Sequence, residues 1–133
     1  MGNPGLKNTA EEFDVVILGG GLAGCLLASQ IKRQRPTVSF VVLEQQDSFM
    51  ANRTWSFFAT DMKNRDARSW VEPFVDHSWP GYEVHFQSHS RRLETTYNTI
   101  QSETFFQEMT KQLRGHLRFQ QRVVAVQKGE VQM

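Results

Sequence analysis

Glycines at 19, 21 and 24 and a carboxylate at 44, in the stretch VVILGGGLAGCLLASQIKRQRPTVSFVVLE, have the types and spacing to hold a dinucleotide. The chemistry is recognition of an anion by backbone groups. In Gly19-x-Gly21-x-x-Gly24 the first glycine permits a tight turn, the second lets backbone approach a pyrophosphate, and the third lets a helix pack closely on a sheet. Leu22 and Ala23 open that helix, so their free N–H groups point at phosphate oxygens. Glu44 comes twenty residues after Gly24. At that distance a carboxylate accepts hydrogen bonds from an adenosine ribose, and its charge disfavours a 2′-phosphate. An incidental glycine turn is the plain alternative. Strand, glycines, helix, strand and acid all fall in register, and that weighs against it.

Such a constellation needs elements to position it. Phe13–Leu18 is an apolar, β-branched run broken only by Asp14, as expected of a strand buried on both faces of a parallel sheet. Leu22–Gln34 has helical spacing, with Leu22, Leu26, Leu27 and Ile31 on one side and Lys32, Arg33 and Arg35 at the end where cations complement the dipole. Pro36 stops it. Val38–Leu43 reads as the second strand, completing a βαβ unit with a right-handed crossover.

The remainder divides around that unit. Residues 1–12, rich in Gly, Asn and Pro, read as a flexible lead-in and residues 13–48 as the βαβ unit. Residues 49–100 interrupt it as an insert with a β-hairpin: Trp79–Phe86 alternates, Gln87–Ser90 turns, and Arg91–Tyr97 returns. Residues 101–133 resume the nucleotide fold. Its helix is expected over Thr99–Arg114 with Gly115 as C-cap, its third parallel strand at Leu117–Phe119, and the start of a meander at Val123–Val126 before a Lys128-Gly129 turn.

Composition excludes several classes of function. With 133 residues, 39% apolar, 22% charged and a formal charge of +1, the chain has ordinary globular composition and no basic cluster for nucleic acid. It reads as soluble, with no apolar run of about 20 residues to span a bilayer and no signal-peptide core in MGNPGLKNTAEE. Any membrane contact is therefore peripheral. The single cysteine, Cys25, falls in the predicted helix as a small buried hydrophobe, which suits a reducing cytosol. His85 and His89 do not converge on one metal from a strand and turn, and no metal site is expected. Asp61, Asp66, Asp76 and Glu83 read as solvated, while Trp70, Trp79 and Pro80 are open to two readings, buried packing or an apolar entrance facing a membrane.

The blocks NRTWSFFATDM (52–62), HSWPGYEVHF (77–86), RRLETTYNTIQSETF (91–105) and RVVAV (122–126), with Trp70 between the first two, are more specific than the glycines. On these residues the chain resembles the N-terminal third of bacterial lycopene β-cyclases, nearly throughout from Phe13. One departure is Arg53, where the family usually has histidine; arginine there is suited to the pyrophosphate of FAD.

The resemblance implies a Rossmann-like, α/β FAD-binding domain of the hydroxylase/cyclase type with an inserted hairpin layer, incomplete at its C-terminus. It implies reduced FAD held by Gly19, Gly21, Leu22, Ala23, Gly24, Glu44, Arg53 and Val123, with NAD(P)H as reductant. Asn52, Thr54 and Trp55 are placed near flavin or polyene, although Trp55, Phe57 and Phe58 fit a core equally well. The substrate implied is lycopene or a related acyclic carotenoid, cyclised to β-ionone rings without net oxidation by a protein on the cytoplasmic face of the membrane. The family's acid, a glutamate in a later motif, aligns with no residue up to Met133, so the chain is expected to be an inactive piece of a longer enzyme. Two alternatives stay open, an FAD-dependent monooxygenase-like oxidoreductase and a nucleotide-binding remnant without activity.

Overall fold

The computed structural model describes residues 10–49 and 52–133. Most of the expected lead-in lies outside the described residues. Of its last residues, Glu11 pairs with the guanidinium of Arg118.

The first strand, β1 (Val15–Leu18), continues into helix α1 (Leu22–Gln34) and then strand β2 (Phe40–Leu43). The two strands run parallel in the register Val15↔Phe40 to Leu18↔Leu43. All four residues of β2 are buried, as an uninterrupted apolar strand between covered faces must be. Helix α1 buries Cys25 and Ala28 completely and packs Leu22, Leu26 and Ile31 against the same core. Ahead of β1 the N–H and hydroxyl of Ser39 both donate to Asp14, each at 2.8 Å. These bonds, the backbone one foremost, hold the Asp14 carboxyl below its ordinary pKa.

Strand β3 (Thr54–Phe58) is followed by helix α2 (Arg65–Val71) and strands β4 (His77–Trp79), β5 (Tyr82–His85), β6 (Ser90–Leu93) and β7 (Tyr97–Gln101). Among the differences from the sequence expectation, two bear on how this segment is built. The predicted strand Trp79–Phe86 is divided at Pro80-Gly81. Trp79 pairs with Tyr97 in an antiparallel sheet of order β3-β7-β4, whereas the hairpin joins β5 to β6. Proline cannot donate to a ladder, and a β-carbon on Gly81 would lie 2.6 Å from the Leu93 carbonyl, so the chain bends there.

The second difference is the start of helix α3, at Ser102 and not at Thr99; it runs over Ser102–Gln112. Thr99, Ile100 and Gln101 remain in β7, opposite Ser56, Trp55 and Thr54. Three residues with one apolar member suit either state, and pairing of β7 with β3 and β4 decides it. Asp76 marks the boundary by accepting the Gln101 N–H at 2.6 Å and the Thr104 hydroxyl at 3.1 Å, a role that solvated Asp76 did not foretell. The helix closes at Leu113, with Gly115 at φ +86° two residues further on.

Strand β8 (Leu117–Arg118) adds to β2 in parallel, giving the order β1-β2-β8 and supplying the expected third strand. The hairpin β9 (Ala125–Gln127) to β10 (Glu130–Gln132) follows, its Lys128-Gly129 turn at φ +43° and +84°. Two left-handed residues match the twist of a two-residue hairpin. One core joins the parts. Ile17, Cys25, Phe40 and Val42 from the βαβ unit pack with Ile100, Phe105, Phe106, Met109 and Leu113 from β7 and α3.

Candidate functional site

The glycine turn is built at the carboxyl end of β1. Gly19 donates to the Leu43 carbonyl at 2.8 Å, keeping the ladder one residue beyond the strand, and then turns at φ +97°. Few residues other than glycine adopt that angle without strain. At Gly24 a β-carbon would lie 2.2 Å from the Gly19 carbonyl oxygen, so only a bare α-carbon lets α1 sit this close to the strand end. Gly21 differs. It is the N-cap of α1, and a β-carbon there would meet nothing within 4 Å.

That open space lies before an unneutralised helix end. No side chain caps α1 and its first turn contains no acid. The first helical bond runs from Cys25 N–H to the Gly21 carbonyl, leaving the N–H groups of Leu22, Ala23 and Gly24 without an acceptor within the helix. Aligned dipoles and free donors with room in front of them favour an anion, and a pyrophosphate fits this cradle.

Glu44 reaches the same turn from the end of β2. Its Oε2 accepts the Gly20 N–H at 2.8 Å and its Oε1 the Gln46 N–H at 3.0 Å. A carboxylate offers about four lone-pair sites, so it still has acceptor capacity for ribose hydroxyls. The chain leaving β8 runs beside it, Gln121 donating to the Glu44 carbonyl at 2.9 Å and Gln120 to that of Gln46 at 2.8 Å. This pairing carries the chain past the end of β2 toward half-buried Val123. Cys25 donates from Sγ to the Gly20 carbonyl at 3.3 Å, and its thiol is pushed up to about 12 by burial and by the charge of Glu44. It is a packing residue and not a nucleophile.

Asn52 to Trp55 lie on and just before β3. Asn52, exposed, sits at φ +70°, a conformation that asparagine tolerates better than most residues. Arg53 exchanges hydrogen bonds with Ser102, its N–H donating to Oγ at 2.8 Å and its carbonyl accepting the Ser102 N–H at 2.9 Å. Thr54 and Trp55 are neighbours on a strand and so face opposite sides. Thr54 is exposed, while Trp55 turns its indole edge-on to Phe105 and Phe106 at 5.5 and 5.6 Å. The indole is partly buried and packs against the edge of the core.

Two site residues escaped the motif. Gly20, an x position in the fingerprint, is the glycine whose N–H Glu44 holds. Phe49 lies against it: a β-carbon on Gly20 would stand 2.7 Å from the Phe49 ring. An aromatic five residues past the acid was the only available signal. Surface clefts of about 420 Å³ beside Phe74, Asp76 and Thr104, and about 390 Å³ beside Lys32, Arg33 and Trp70, are lined by none of the glycine-turn residues. The glycine turn, with its free N–H groups and open space, is the better candidate on chemical grounds. Among the described residues no group of three His, Cys, Asp or Glu side chains is placed to hold a metal, and no helix is long and apolar enough to cross a membrane.

The architecture defines a class at the level of fold: a mixed α/β fold shared with solved oxygenases. It superposes on the tetrameric form of 2-methyl-3-hydroxypyridine-5-carboxylic acid oxygenase with a TM-score of 0.63 at 17% identity, covering 88% of this chain and 36% of that one. On the rebeccamycin biosynthetic enzyme RebC with reduced flavin the TM-score is 0.58 at 18% identity, covering 87% and 27%. Such identities speak to fold alone. The sequence narrows the class, because residues 14–133 match the family described as lycopene cyclase protein. The chain belongs to the lycopene cyclase family. It is 32% identical over 105 residues to the lycopene beta-cyclase of Pantoea ananas, covering 79% of this chain and 27% of the relative. To that of Pseudescherichia vulneris it is 36% identical over 100 residues, covering 75% and 26%. The chain thus spans about a quarter of the length of these curated relatives.

Proposed function

We propose that the full-length protein is an FAD-dependent lycopene β-cyclase and that this chain supplies the ledge for the dinucleotide. The family match over residues 14–133 is the observation that carries the reading. Gly19, Gly21, Leu22, Ala23 and Gly24 hold the pyrophosphate, and Glu44 accepts the ribose hydroxyls. Arg53 and Val123 add contacts to FAD, and Asn52 and Thr54 face the flavin or the polyene. Bound FAD, kept reduced by NAD(P)H, supplies preorganised electron density near positive charge developing on the substrate.

The reaction moves protons and no net electrons. A proton adds to the terminal double bond of an acyclic carotenoid end, the cation closes a six-membered ring, and loss of another proton leaves the β-ionone double bond. Substrate and product are isomers, which makes the enzyme an isomerase or intramolecular lyase. The donor of the first proton is assigned to no residue between 1 and 133, so these residues alone are expected to leave lycopene unchanged. A polyene this apolar is dissolved in lipid, which supports a protein that works at a membrane surface, and we place it peripherally on the cytoplasmic face.

A monooxygenase-like oxidoreductase is the second reading, favoured by the likeness in fold to oxygenases. Expressing the full-length gene in cells that accumulate lycopene separates the two. A cyclic product of unchanged mass is expected, and an oxygenated product overturns the cyclase.

A further inference from the structure

The three restraints that converge on Gly20 point to a positioning residue that the fingerprint does not contain. A run of three glycines is costly to order, because glycine loses more backbone freedom than any other residue. Here the middle glycine is buried and held at each of its groups. Its N–H is taken by Glu44 at 2.8 Å and its carbonyl accepts Cys25 Sγ–H at 3.3 Å. Its α-carbon is covered by Phe49, so close that a β-carbon would fall 2.7 Å from the ring.

Phe49 is itself braced. It stacks on Phe106 with centroids 4.4 Å apart and rings 7° from parallel, and it meets Phe119 edge-on at 5.0 Å. Phe106 in turn receives the edge of Trp55 at 5.6 Å. A continuous aromatic path therefore runs from the phosphate turn to β3. Glu44 fixes the direction of one peptide plane but not the depth of the loop. A ring pressed on a bare α-carbon fixes depth, because neither partner has a spare methylene to give.

We infer that Phe49 is a positioning residue of the dinucleotide site: pressed on Gly20 and braced by Phe106 and Phe119, it sets where the N–H groups of the turn meet the pyrophosphate. This rests on the dinucleotide reading above. Gly20 and Phe49 form a size-matched pair, and the match is what a substitution breaks.

The experiment is a size-exchange cycle in the full-length protein, with FAD affinity read by flavin fluorescence and Gly20 amide exchange read on the cofactor-free form. Gly20→Ala is expected to weaken FAD about tenfold or more and Phe49→Leu about fivefold, with the double variant near Phe49→Leu alone because the shorter side chain admits the new methyl. Phe49→Leu is also expected to speed Gly20 amide exchange. A double variant that loses the product of the two single effects, or Phe49→Leu with wild-type affinity and unchanged Gly20 exchange, overturns the inference. Should Gly20→Ala not fold, recovery of folding in the double variant supports the pair and continued misfolding refutes it. Wild-type protein that takes up no FAD would defeat the dinucleotide reading itself, and the Gly20 exchange rates would still decide whether Phe49 sets the loop.

Discussion

Glu44 and Gly20 lie on consecutive crossings of the sheet end and are joined by a 2.8 Å hydrogen bond from the glycine N–H to Oε2. In the proposed binding mode, the acid assigned to the ribose is therefore also a strut of the glycine turn. On the proposed reading, recognition of the two halves of a dinucleotide would be coupled through this one side chain, since moving the carboxylate moves the loop.

Glu44→Ala should accordingly weaken FAD by more than a lost ribose contact. Hydrogen bonds to charged groups contribute about 1.5–3 kcal/mol, and the variant also releases the Gly20 and Gln46 N–H groups. A loss of tenfold or more in affinity is expected, read as flavin retained after gel filtration. Retention equal to wild type would remove Glu44 from the site.

Gly24 and Gly21 should separate folding from binding. A methyl at Gly24 would fall 2.2 Å from a backbone oxygen, so Gly24→Ala forces α1 off the strand end and should cost about 1–3 kcal/mol in urea unfolding. Gly21 has φ −74° and nothing within 4 Å of a β-carbon, so Gly21→Ala should leave stability within about 0.5 kcal/mol while weakening FAD. Its methyl would occupy the open space proposed for phosphate. Equal losses of stability in both variants would contradict this division.

The parts of the site that were legible were those encoded over short distances. Helix α1 begins at Leu22 and ends at Gln34 as its spacing and Pro36 required, because glycine, periodicity and proline agree there. Thr99–Gln101 misled for the opposite reason: it has no local pattern of its own beside the helix that follows, and the distant partners on β3 and β4, Trp55 across from Ile100 and His77 across from Thr99, make it a strand. Helix α2 escaped notice because its seven residues bury nothing fully and so carry no apolar stripe. NRTWSFF was conspicuous as a block, yet its alternation between exposed Thr54 and core-facing Trp55 follows from sheet pairing that no local pattern displays. The Phe49–Gly20 contact is likewise a matter of depth in three dimensions, invisible in spacing.

Cys25 provides a pH test of the turn. Burial, and secondarily the Glu44 charge, raise its thiol from 9.0 to about 12 in the folded protein. A raised acid favours folding while the thiol is neutral. Its contribution is complete below the unfolded value near 9 and is lost as pH rises from there toward 12. Unfolding midpoints should therefore fall more steeply above pH 9 in wild type than in Cys25→Ala, and the native thiol should resist disulfide reagents that modify it at once in denaturant. Parallel pH profiles for the two proteins would contradict a buried neutral thiol.

The decisive test of the proposed chemistry is an account of protons. If a proton is added to the polyene and another removed, turnover in deuterated water should place deuterium on the new ring and leave product and substrate isomeric apart from that label. The reduced flavin is then required but not consumed, so anaerobic NAD(P)H consumption should stay well below one per ring. A hydroxylase working on the same fold demands the reverse, because each cycle inserts one oxygen atom, reduces the other to water and spends one reductant. Oxygen uptake matching an oxygenated product one for one would overturn the cyclase reading, whereas deuterium in an isomeric ring formed without oxygen admits no oxygenase.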